Sequence, residues 1–408
     1  MTSATSGGPL AGIRVLDLGR MFAAPWAGQM LGDLGADVIK VERLEGDEMR
    51  GYGPPFLQDR NGGKLPESAF SIAANRNKRS VSIDFTRPEG ADIVRRLVAT
   101  CHIVLENFRP GTLERHGLDR AALRALRPGL IHLSITGFGR DGEHAGRPAV
   151  DTMVQAMSGM MSLSGEPDGE PQRAGFVIAD LIAGMYAVIG ALAALRSREV
   201  ANDNGQDVEV ALLDSAFAAL SHRVHEYLLT AVAPTRTGAG SRTNVPSGHF
   251  AASDGTLSLN AGGEAQFRKL CRALAREDLL SDPRFTDRAG RAAHRAALNE
   301  ILEAILGAEP VDHWVELLQA HGVFCAPIRN IAQALEAPPL RDRAMRVSVP
   351  HQAAREVEVV ANPLRFSQTP IRYTRAPPLP GEHTREVLRE IGIDNAAAEA
   401  LFATGVIR

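Results

Sequence analysis

The chain is poor in cysteine: its 408 residues include three, Cys101, Cys271 and Cys325. They lie far apart, show no Cys-x-x-Cys spacing and cannot all pair, which argues against a disulfide framework and against a cysteine metal site. The N-terminal sequence MTSATSGGPL lacks the basic and apolar regions of a secretory signal and predicts a short disordered lead. We therefore expect a reducing, cytoplasmic location.

An excess of positive charge is also missing. The chain has 45 Lys and Arg against 48 Asp and Glu, for a net charge of −3. This balance excludes a bulk basic surface for nucleic acid, so any anionic ligand must be bound by locally placed Arg and Lys. A hydrophobic content of 44% is typical of a soluble globular protein, and the length predicts two domains.

No apolar run reaches the roughly 20 residues that a membrane-spanning helix needs. The longest, Leu181 to Leu195, lies within RAGFVIADLIAGMYAVIGALAAL and predicts a buried helix of a soluble protein. One carboxylate, Asp180, directly precedes it, and burying a bare carboxylate is costly. Asp180 is explained either as a helix N-cap or as a reactive carboxylate that the helix N-terminus keeps ionised in an apolar pocket.

Several motifs of other chemistries are absent. DLGRMFAAPWAG follows a predicted strand but is not the Gly-x-Gly-x-x-Gly of dinucleotide-binding proteins, and the chain has no Walker sequence and no Gly-x-Ser-x-Gly elbow. His222, His225 and Glu226 are best explained as a helix surface, so no metal site is expected.

Short apolar runs alternate with helical patterns over roughly residues 10 to 200. IRVLDLG, DVIKVE, HIVLENF and LIHLSITGF predict strands, and APWAGQMLGDLGA and RAALRALRP predict helices between them. This order predicts an α/β fold with a parallel sheet that binds ligands at the carboxyl ends of its strands. Further on, HFAASDGTLSLNAGG predicts a hairpin around Asp254-Gly255, followed by the helices of a smaller domain.

Five basic residues recur near the predicted strands. Arg43 closes the second strand, Lys78 and Arg79 lie in NRNKRS, and Arg109 and Arg115 lie in ENFRPGTLER. All are predicted at strand ends or in the loops that follow, where they could bind phosphates. Each alone is best explained as a solvated surface cation, but their recurrence at one edge of the sheet favours an anion site.

Six segments, in this order and spacing, resemble the class III CoA-transferases: GIRVLDLGRMFAAPWAGQMLGDLGADVIKVE, NRNKRSVSIDF, ENFRPG, SITGFG, GQDVEVALLDS and LPGEHTREVLREIG. That family includes formyl-CoA transferase, carnitine CoA-transferase and 2-methylacyl-CoA racemase, and the resemblance covers nearly the whole chain. It implies an enzyme that moves CoA between carboxylic acids, with a CoA thioester as substrate and no permanently bound cofactor. It also implies an obligate, interlocked homodimer.

The fold that the resemblance implies has a Rossmann-like large α/β domain, built from N- and C-terminal segments, and a smaller α+β domain. We predict the N-terminal part of the large, CoA-binding domain in residues 1–200 and a linker helix in 201–225. The small domain is predicted in 226–330, and 331–408 are predicted to form a linker and the C-terminal return to the large domain.

By resemblance, the catalytic nucleophile is Asp180. Its carboxylate would attack the thioester carbonyl of an acyl-CoA, giving an acyl-aspartyl anhydride and then an aspartyl-CoA thioester. The apolar setting of Asp180 would keep water away from the anhydride.

The resemblance also implies a set of contacts to CoA. Phe22 and Ala23 would line the cleft after the first strand. The nucleotide phosphates would be approached by Arg43, Asn75, Arg76, Asn77 and Lys78. The adenosine and pantetheine side would be held by Asn107, Phe108 and Arg109, with Arg115 nearby and Arg147 as another basic contact.

Three departures from the family bear on the substrate. Val150 stands where the racemases have a His, before the aspartate that aligns with Asp151, which disfavours racemase activity. Phe22 stands where formyl-CoA transferases have a Gln, and GAGSRTNVPSG replaces their run of glycines. An apolar Phe22 suits a larger acid and Arg242 could pair with a second carboxylate, which favours a dicarboxylate such as succinate, itaconate or mesaconate. The alternatives are an acyl-CoA racemase or isomerase of the same fold and a non-catalytic acyl-CoA-binding protein.

Overall fold

A computed structural model describes residues 7–201 and 204–408 of the chain. Residues 1–6 of the predicted lead, and residues 202 and 203 of the polar segment REVANDNGQD, lie outside the described part. The chain forms two compact units. Unit 1 comprises Met1–Ser158, Gly175–Ser221 and Pro338–Arg408, and unit 2 comprises Gly159–Ala174 and His222–Ala337.

The strands of the described residues are β1 (Arg14–Asp17), β2 (Asp37–Glu42), β3 (Phe56–Gln58), β4 (Lys64–Ser68), β5 (Lys78–Ser82), β6 (Ile103–Glu106), β7 (Ile131–Thr136), β8 (Asp207–Ala211), β9 (Ser247–Ala251), β10 (Thr256–Asn260), β11 (Phe324–Pro327), β12 (Arg346–Pro350) and β13 (Glu356–Val360). The α-helices are α1 (Ala23–Asp33), α2 (Ala69–Asn75), α3 (Pro88–Thr100), α4 (Arg120–Leu126), α5 (Asp151–Met157), α6 (Ile178–Ala201), α7 (Leu212–Ala219), α8 (His222–Thr230), α9 (Glu264–Ala273), α10 (Arg288–Ala293), α11 (Arg295–Leu306), α12 (Val311–Ala320), α13 (Ile331–Glu336), α14 (Pro338–Arg341), α15 (Thr384–Glu390) and α16 (Asn395–Ala403).

A six-stranded sheet forms the centre of unit 1, with the strand order β5-β2-β1-β6-β7-β8. Every neighbouring pair is parallel; Val15 of β1 lies opposite Val38 of β2 on one side and Ile103 of β6 on the other. Strands β2, β5, β6 and β7 are buried along nearly their whole length, because helices cover both faces of a parallel sheet. The predicted α/β fold with a parallel sheet is confirmed.

The C-terminal segment packs back onto this sheet. Leu388 of α15 and Ile407 belong to the same buried cluster as Ile39, Val81 and Val94. The backbone N–H of His383 also donates to the carbonyl of Ser80 in β5 at 2.9 Å. The chain end therefore shares one hydrophobic core with the first hundred residues.

Unit 2 contains the predicted hairpin. Strands β9 and β10 pair antiparallel, with Phe250 opposite Leu257, and β11 adds a third antiparallel strand. Arg291 of α10 is fully buried there and donates to the carbonyls of Val245 and Gly262 at 3.0 Å. Hydrogen bonds to backbone carbonyls compensate the burial of its charge.

Helix α6 differs from the buried helix that the sequence predicts. It extends beyond the apolar run at both ends, and Tyr186 and Ile189 are 43% and 61% exposed, whereas Ala183 and Ala187 are buried. From Ile178 to Val200 it is, among the described residues, the one helix long and apolar enough to cross a membrane, by length and composition alone. In the most apolar part of that stretch, 44% of the residues are buried in the protein. The core helix of a soluble protein has the same length and composition, so α6 gives little support for a membrane span.

Candidate active site

A cavity of about 520 Å³ opens in unit 1 beside the loops that follow β1, β6 and β7. Phe22 and Ala23 line it after β1, Phe108 after β6, and the acids Asp151 and Asp180 at the first turns of α5 and α6. The loops converge because the strands are parallel and their carboxyl ends meet at the same edge of the sheet.

A close approach of α6 to α1 brings Asp180 to this cavity. Gly184 lies one turn after Asp180, and a Cβ built there would lie 3.0 Å from the carbonyl oxygen of Ala23 and 2.8 Å from the Trp26 ring. The two helices therefore touch where one has no side chain, and the first turn of α6 faces the start of α1.

Asp151 caps the helix that carries Asp180. Its Oδ2 accepts the backbone N–H of Ala179 at 2.7 Å and that of Asp180 at 3.3 Å, while its Oδ1 accepts from Gln155 at 2.5 Å. Asp180 is the third residue of α6, so its interpretation as an N-cap is wrong. The cap comes from a different helix, and this leaves the side chain of Asp180 available to the cavity.

The electrostatics of Asp180 differ from the prediction that the helix keeps it ionised. Burial, and to a smaller extent the nearby charge of Asp151, raise the pKa of Asp180 to about 7. Among the described residues no cation pairs with the Asp180 carboxylate. Without a bound substrate the carboxyl group of Asp180 therefore keeps its proton to a higher pH than an ordinary aspartate does.

Aromatic side chains form one wall of the cavity. The ring of Phe22 lies 4.6 Å from that of Phe70 and 5.9 Å from that of Trp26, and Tyr52 meets Phe70 edge-on at 5.8 Å. Phe22 is buried, whereas Tyr52 is 54% exposed at the rim. This wall presents apolar surface to whatever the cavity holds.

A second cavity of about 320 Å³ adjoins the first, and Arg20 and Phe108 line both. Its walls include Leu18, Val41 and Ile83, with Arg43 beside them. Although acidic residues also line this cavity, its apolar walls and the cations Arg20 and Arg43 suit a heteroaromatic base that carries phosphates.

The turn between β1 and α1 is held rigidly. Asn107 accepts from the backbone N–H of Arg20 and donates to its carbonyl, both at 2.8 Å. Met21 follows at φ +63, a left-handed conformation that is costly for a residue other than glycine, and its N–H donates to Asp47 at 3.2 Å. These contacts fix the backbone of the loop that both cavities share.

The model of CoA-transferase family III matches residues 10–384 of the chain. The chain belongs to this family. It is 40% identical over 384 residues to the succinate–glutarate CoA-transferase of Agrobacterium fabrum, covering 94% of this chain and 96% of that protein. It is 34% identical to the succinyl-CoA:glutarate CoA-transferase of Mus musculus, covering 98% of this chain and 90% of that protein.

Solved structures agree with this assignment. A CAIB/BAIF family protein from Brucella suis superposes with a TM-score of 0.87 and 38% sequence identity, covering 94% of this chain and all of that one. The predicted family and the predicted enzyme class, a class III CoA-transferase, are confirmed.

Four of the predicted CoA contacts of this CoA-transferase line neither cavity: Asn75, Arg76, Asn77 and Lys78. All four are buried. Arg76 forms a two-pronged ion pair with Asp33 at 3.0 and 2.5 Å, and Asn77 accepts the backbone N–H groups of residues 374 and 375. These residues tie the C-terminal segment to α1, so Arg76 could reach a phosphate only by breaking its buried pair.

Lys78 and Arg79 begin β5, so they lie at the amino end of a strand and not at the carboxyl edge of the sheet where an anion site was expected. Lys78 donates to Asp17, Asn75 and the carbonyl of Pro25, and its side chain is fully buried. Arg79 pairs with Asp37, Glu386 and Glu390 around a different cavity of unit 1.

The remaining predicted cations lie at or near the two cavities. Arg109 and Arg147 line the larger one and are exposed, and Arg43 lines the smaller one. Arg115 donates to the carbonyl of Gly111 at 3.0 Å, while its neighbour His116 lines the smaller cavity. Arg242, the residue suggested for a second carboxylate, lies in unit 2 and pairs with Glu226 at 3.8 Å.

Sequence reasoning missed three residues that shape the site. Arg20 stands at the junction of the cavities, Phe70 backs the aromatic wall, and Asp151, noted only as an alignment landmark, caps α6. Arg20 had a detectable signal, since it follows the first predicted strand at its carboxyl end. The distant contacts of Phe70 and Asp151 left no comparable pattern in the sequence.

Proposed function

We propose that this CoA-transferase moves CoA between two dicarboxylic acids through covalent intermediates on Asp180. The observation on which this rests is the position of Asp180: an unpaired carboxylate with a raised pKa, at the start of a capped helix, in a cavity with an apolar wall. Once ionised, a carboxylate of raised pKa is a better nucleophile than an ordinary one, and an apolar wall limits the access of water to a reactive anhydride.

The proposed reaction exchanges acyl groups and CoA at one carboxylate. Asp180 attacks the thioester carbonyl, the CoA thiolate leaves, and an acyl-aspartyl anhydride remains. The thiolate then attacks the aspartyl carbonyl, giving aspartyl-CoA and the free donor acid. The acceptor carboxylate attacks this thioester, and the released thiolate attacks the acceptor carbonyl of the new anhydride, which yields the new acyl-CoA and restores Asp180.

The choice of dicarboxylates is supported by the relatives and by the charges of the cavity. Both of the relatives described above are named as acting on succinate or succinyl-CoA and glutarate. The cavity of Asp180 is also lined by Arg109 and Arg147, and a guanidinium group binds a second carboxylate through two parallel hydrogen bonds.

For the CoA portion, we propose that the adenine base lies in the smaller cavity against Phe108, with Arg43 at the phosphates. The acyl thioester then extends into the larger cavity, toward Phe22, Ala23 and Asp180. The shared lining of the two cavities supports one continuous path.

We propose a homodimer, interlocked as the resemblance implies, in a cytoplasmic location. The exposed apolar side chains of Met185, Tyr186 and Ile189 on α6 support a second copy of the chain as their cover, since monomers rarely expose such a group. Sedimentation at several protein concentrations measures the oligomeric state.

The test of the function is a mass-spectrometric transfer assay. Purified protein receives succinyl-CoA, acetyl-CoA or glutaryl-CoA with a panel of free mono- and dicarboxylates, alongside Asp180→Asn and the exposed control Asp214→Asn. We expect new dicarboxylyl-CoA species with the parent and with Asp214→Asn, and none with Asp180→Asn. Hydroxylamine added during turnover should convert Asp180 to its hydroxamate, which the mass of the peptide reveals.

Three results would contradict the proposal. Transfer by Asp180→Asn at the rate of the parent would remove Asp180 from the chemistry. Deuterium uptake at the α-carbon of an acyl-CoA without transfer would indicate a racemase or isomerase. Binding of CoA esters without any new thioester across the panel would indicate an acyl-CoA-binding protein.

A further inference from the structure

Two guanidinium groups that line the smaller cavity, those of Arg20 and Arg43, converge on one carboxylate oxygen. Nη1 of Arg20 donates to Oε1 of Glu48 at 3.3 Å, and Nη2 of Arg43 lies 3.1 Å from the same oxygen. Arg20 comes from the loop after β1 and Arg43 from the end of β2, so two neighbouring strands supply the pair. The arginines therefore lie close enough together to hold a single anionic group.

The hydrogen-bonding capacity of this cluster is largely unused. Within the described part of the chain, Nε of Arg20 is buried without an acceptor and Oε2 of Glu48 is buried without a donor. A guanidinium group offers five N–H donors, whereas a single carboxylate oxygen satisfies only one donor from each arginine here. A group with more oxygens and more negative charge would fit the two arginines better than Glu48 does.

The backbone that carries Arg20 is held in place, whereas the Glu48 side chain is partly exposed to solvent. Arg20 is clamped through its backbone by Asn107, and its guanidinium stacks on Phe108, 5.0 Å from the ring centre. The residue before Glu48, Asp47, forms a buried ion pair with Lys40 at 3.0 Å, which fixes the local backbone. The Glu48 side chain itself is 37% exposed, so a change of its χ angles alone could move the carboxylate toward solvent.

We infer that Arg20 and Arg43 form a clamp for the diphosphate of CoA, and that Glu48 occupies this clamp as an internal competitor in the ligand-free protein. The inference rests on the proposed function and adds Arg20 and Glu48 to its binding site. A diphosphate presents several charged oxygens to two guanidinium forks and replaces the single oxygen of Glu48. Binding of CoA thus includes displacement of Glu48, which lowers the affinity and aids release of the product.

The sign of the Glu48 effect separates this inference from a structural role. If Glu48 competes, Glu48→Gln tightens binding of CoA and ADP about fivefold, since a partly exposed ion pair of this kind contributes up to about 1 kcal/mol. If Glu48 instead orients the arginines for the ligand, the same variant weakens binding. Glu45 is the matched control, because it lines a cavity together with Arg43 and Glu48, and Glu45→Gln removes an equal charge from a residue for which the described part of the chain shows no ion pair with either arginine.

The experiment is calorimetric titration of the parent, Glu48→Gln, Glu45→Gln, Arg20→Gln and Arg20→Lys with CoA, ADP and adenosine at one fixed, low salt concentration. We expect Glu48→Gln to lower the Kd of CoA and ADP and to leave that of adenosine unchanged. Arg20→Gln should weaken CoA and ADP about tenfold or more, and Arg20→Lys should weaken them less. Glu45→Gln should change each Kd less than twofold.

Turnover provides the second readout. Glu48→Gln should lower the KM for the acyl-CoA without raising kcat, because the diphosphate is bound alike in the ground and transition states. Equal or weaker binding of CoA by Glu48→Gln, in a parent that still transfers CoA, would overturn the competitor role alone. A parent that neither binds CoA nor transfers it would overturn the proposed function itself.

Discussion

Nζ of Lys78 lies 2.8 Å from Oδ2 of Asp17, and both side chains are fully buried. Burial lowers the pKa of Lys78 to about 8, and the charge of Asp17 opposes that fall. Lys78 also donates to the carbonyl of Pro25, so it connects the end of β1 to the first turn of α1. A buried ion pair therefore holds the base of the loop that supplies Arg20 and Phe22 to the cavities.

Removing one partner of this pair should destabilise the protein strongly. We expect Lys78→Met to lower the free energy of unfolding by about 3 to 5 kcal/mol, because Asp17 would remain buried without its cation. Urea unfolding measured by circular dichroism gives the value. The exposed control Lys64→Met removes a cation–π contact with Phe56 and should cost no more than about 1 kcal/mol.

A double variant tests whether the loss comes from the unpaired charge. Asp17→Asn combined with Lys78→Met should cost clearly less than the sum of the two single changes, since neither charge is then left alone. Strict additivity would show that the two residues act independently.

The pH dependence of turnover should report the ionisation of Asp180. Since burial raises its pKa to about 7, the nucleophilic form increases as the pH rises through 7, and kcat/KM for the acyl-CoA should rise over the same range. The charge of Asp151 is the second cause of the raised pKa. Asp151→Asn should therefore shift the rise of kcat/KM to lower pH. Burial should still keep the midpoint of this rise above the ordinary pKa range of an aspartate.

Profiles of kcat/KM from pH 5 to 9 for the parent and for Asp151→Asn measure this shift. The exposed variant Asp141→Asn serves as the control and should leave the profile unmoved. A limb that stays in place in Asp151→Asn would show that the Asp151 charge does not act on the nucleophile.

Because of the same raised pKa, Asp180 should lower the free energy of unfolding at neutral and higher pH. Its folded-state pKa lies above the unfolded value of about 3.9, so the folded protein binds more protons between these values and loses stability as the pH rises from about 4 to 7. Asp180→Asn should remove this loss. We expect the variant to be more stable than the parent by about 1 to 2 kcal/mol above pH 7 and equally stable near pH 4.

Thermal unfolding of both proteins at pH 4.5, 6 and 8 measures the difference. A variant less stable than the parent at pH 8 would contradict the prediction, and would indicate that the carboxylate gains hydrogen bonds in the folded state.

Four strands of the parallel sheet were predictable because a local apolar run marks each of them, whereas β5, which begins within NRNKRS, was missed. The apolar run DVIKVE corresponds to β2, and Asp254-Gly255 lies at the turn of the β9–β10 hairpin. The roles of the cations were not predictable, because their partners are distant in sequence: Lys78 pairs with a residue 61 positions away and Arg76 with one 43 positions away. The sequence NRNKRS alone does not distinguish a residue that binds phosphate from a buried residue that stabilises the fold.

The candidate site shows the same limit. Asp180 was found as a carboxylate beside an apolar run and then through the family resemblance, and Phe22 was found through the resemblance alone; both line the larger cavity. The N-cap interpretation of Asp180 failed because the cap comes from Asp151, 29 residues earlier, and only the packing of α5 against α6 reveals it. The convergence of Arg20 and Arg43 likewise depends on the adjacency of β1 and β2.

Gly184 should be essential to the position of Asp180. In Gly184→Ala the new methyl group would lie 2.8 Å from the Trp26 ring and 3.0 Å from the carbonyl oxygen of Ala23, so α6 must move away from α1. The gain of about 1 kcal/mol in helix propensity opposes this strain. We expect a net destabilisation of about 1 to 2 kcal/mol and a fall of at least about tenfold in kcat/KM, since Asp180 lies one turn away.

The control for this variant must be destabilised equally without moving the nucleophile. Ala193 is exposed on the same helix, and Ala193→Gly costs about 1 kcal/mol through helix propensity alone. It should keep the parental kcat/KM, because the contact between α6 and Ala23 is intact. If Gly184→Ala instead raises the melting temperature and keeps full activity, the helices have room at this point, and the close approach does not position Asp180.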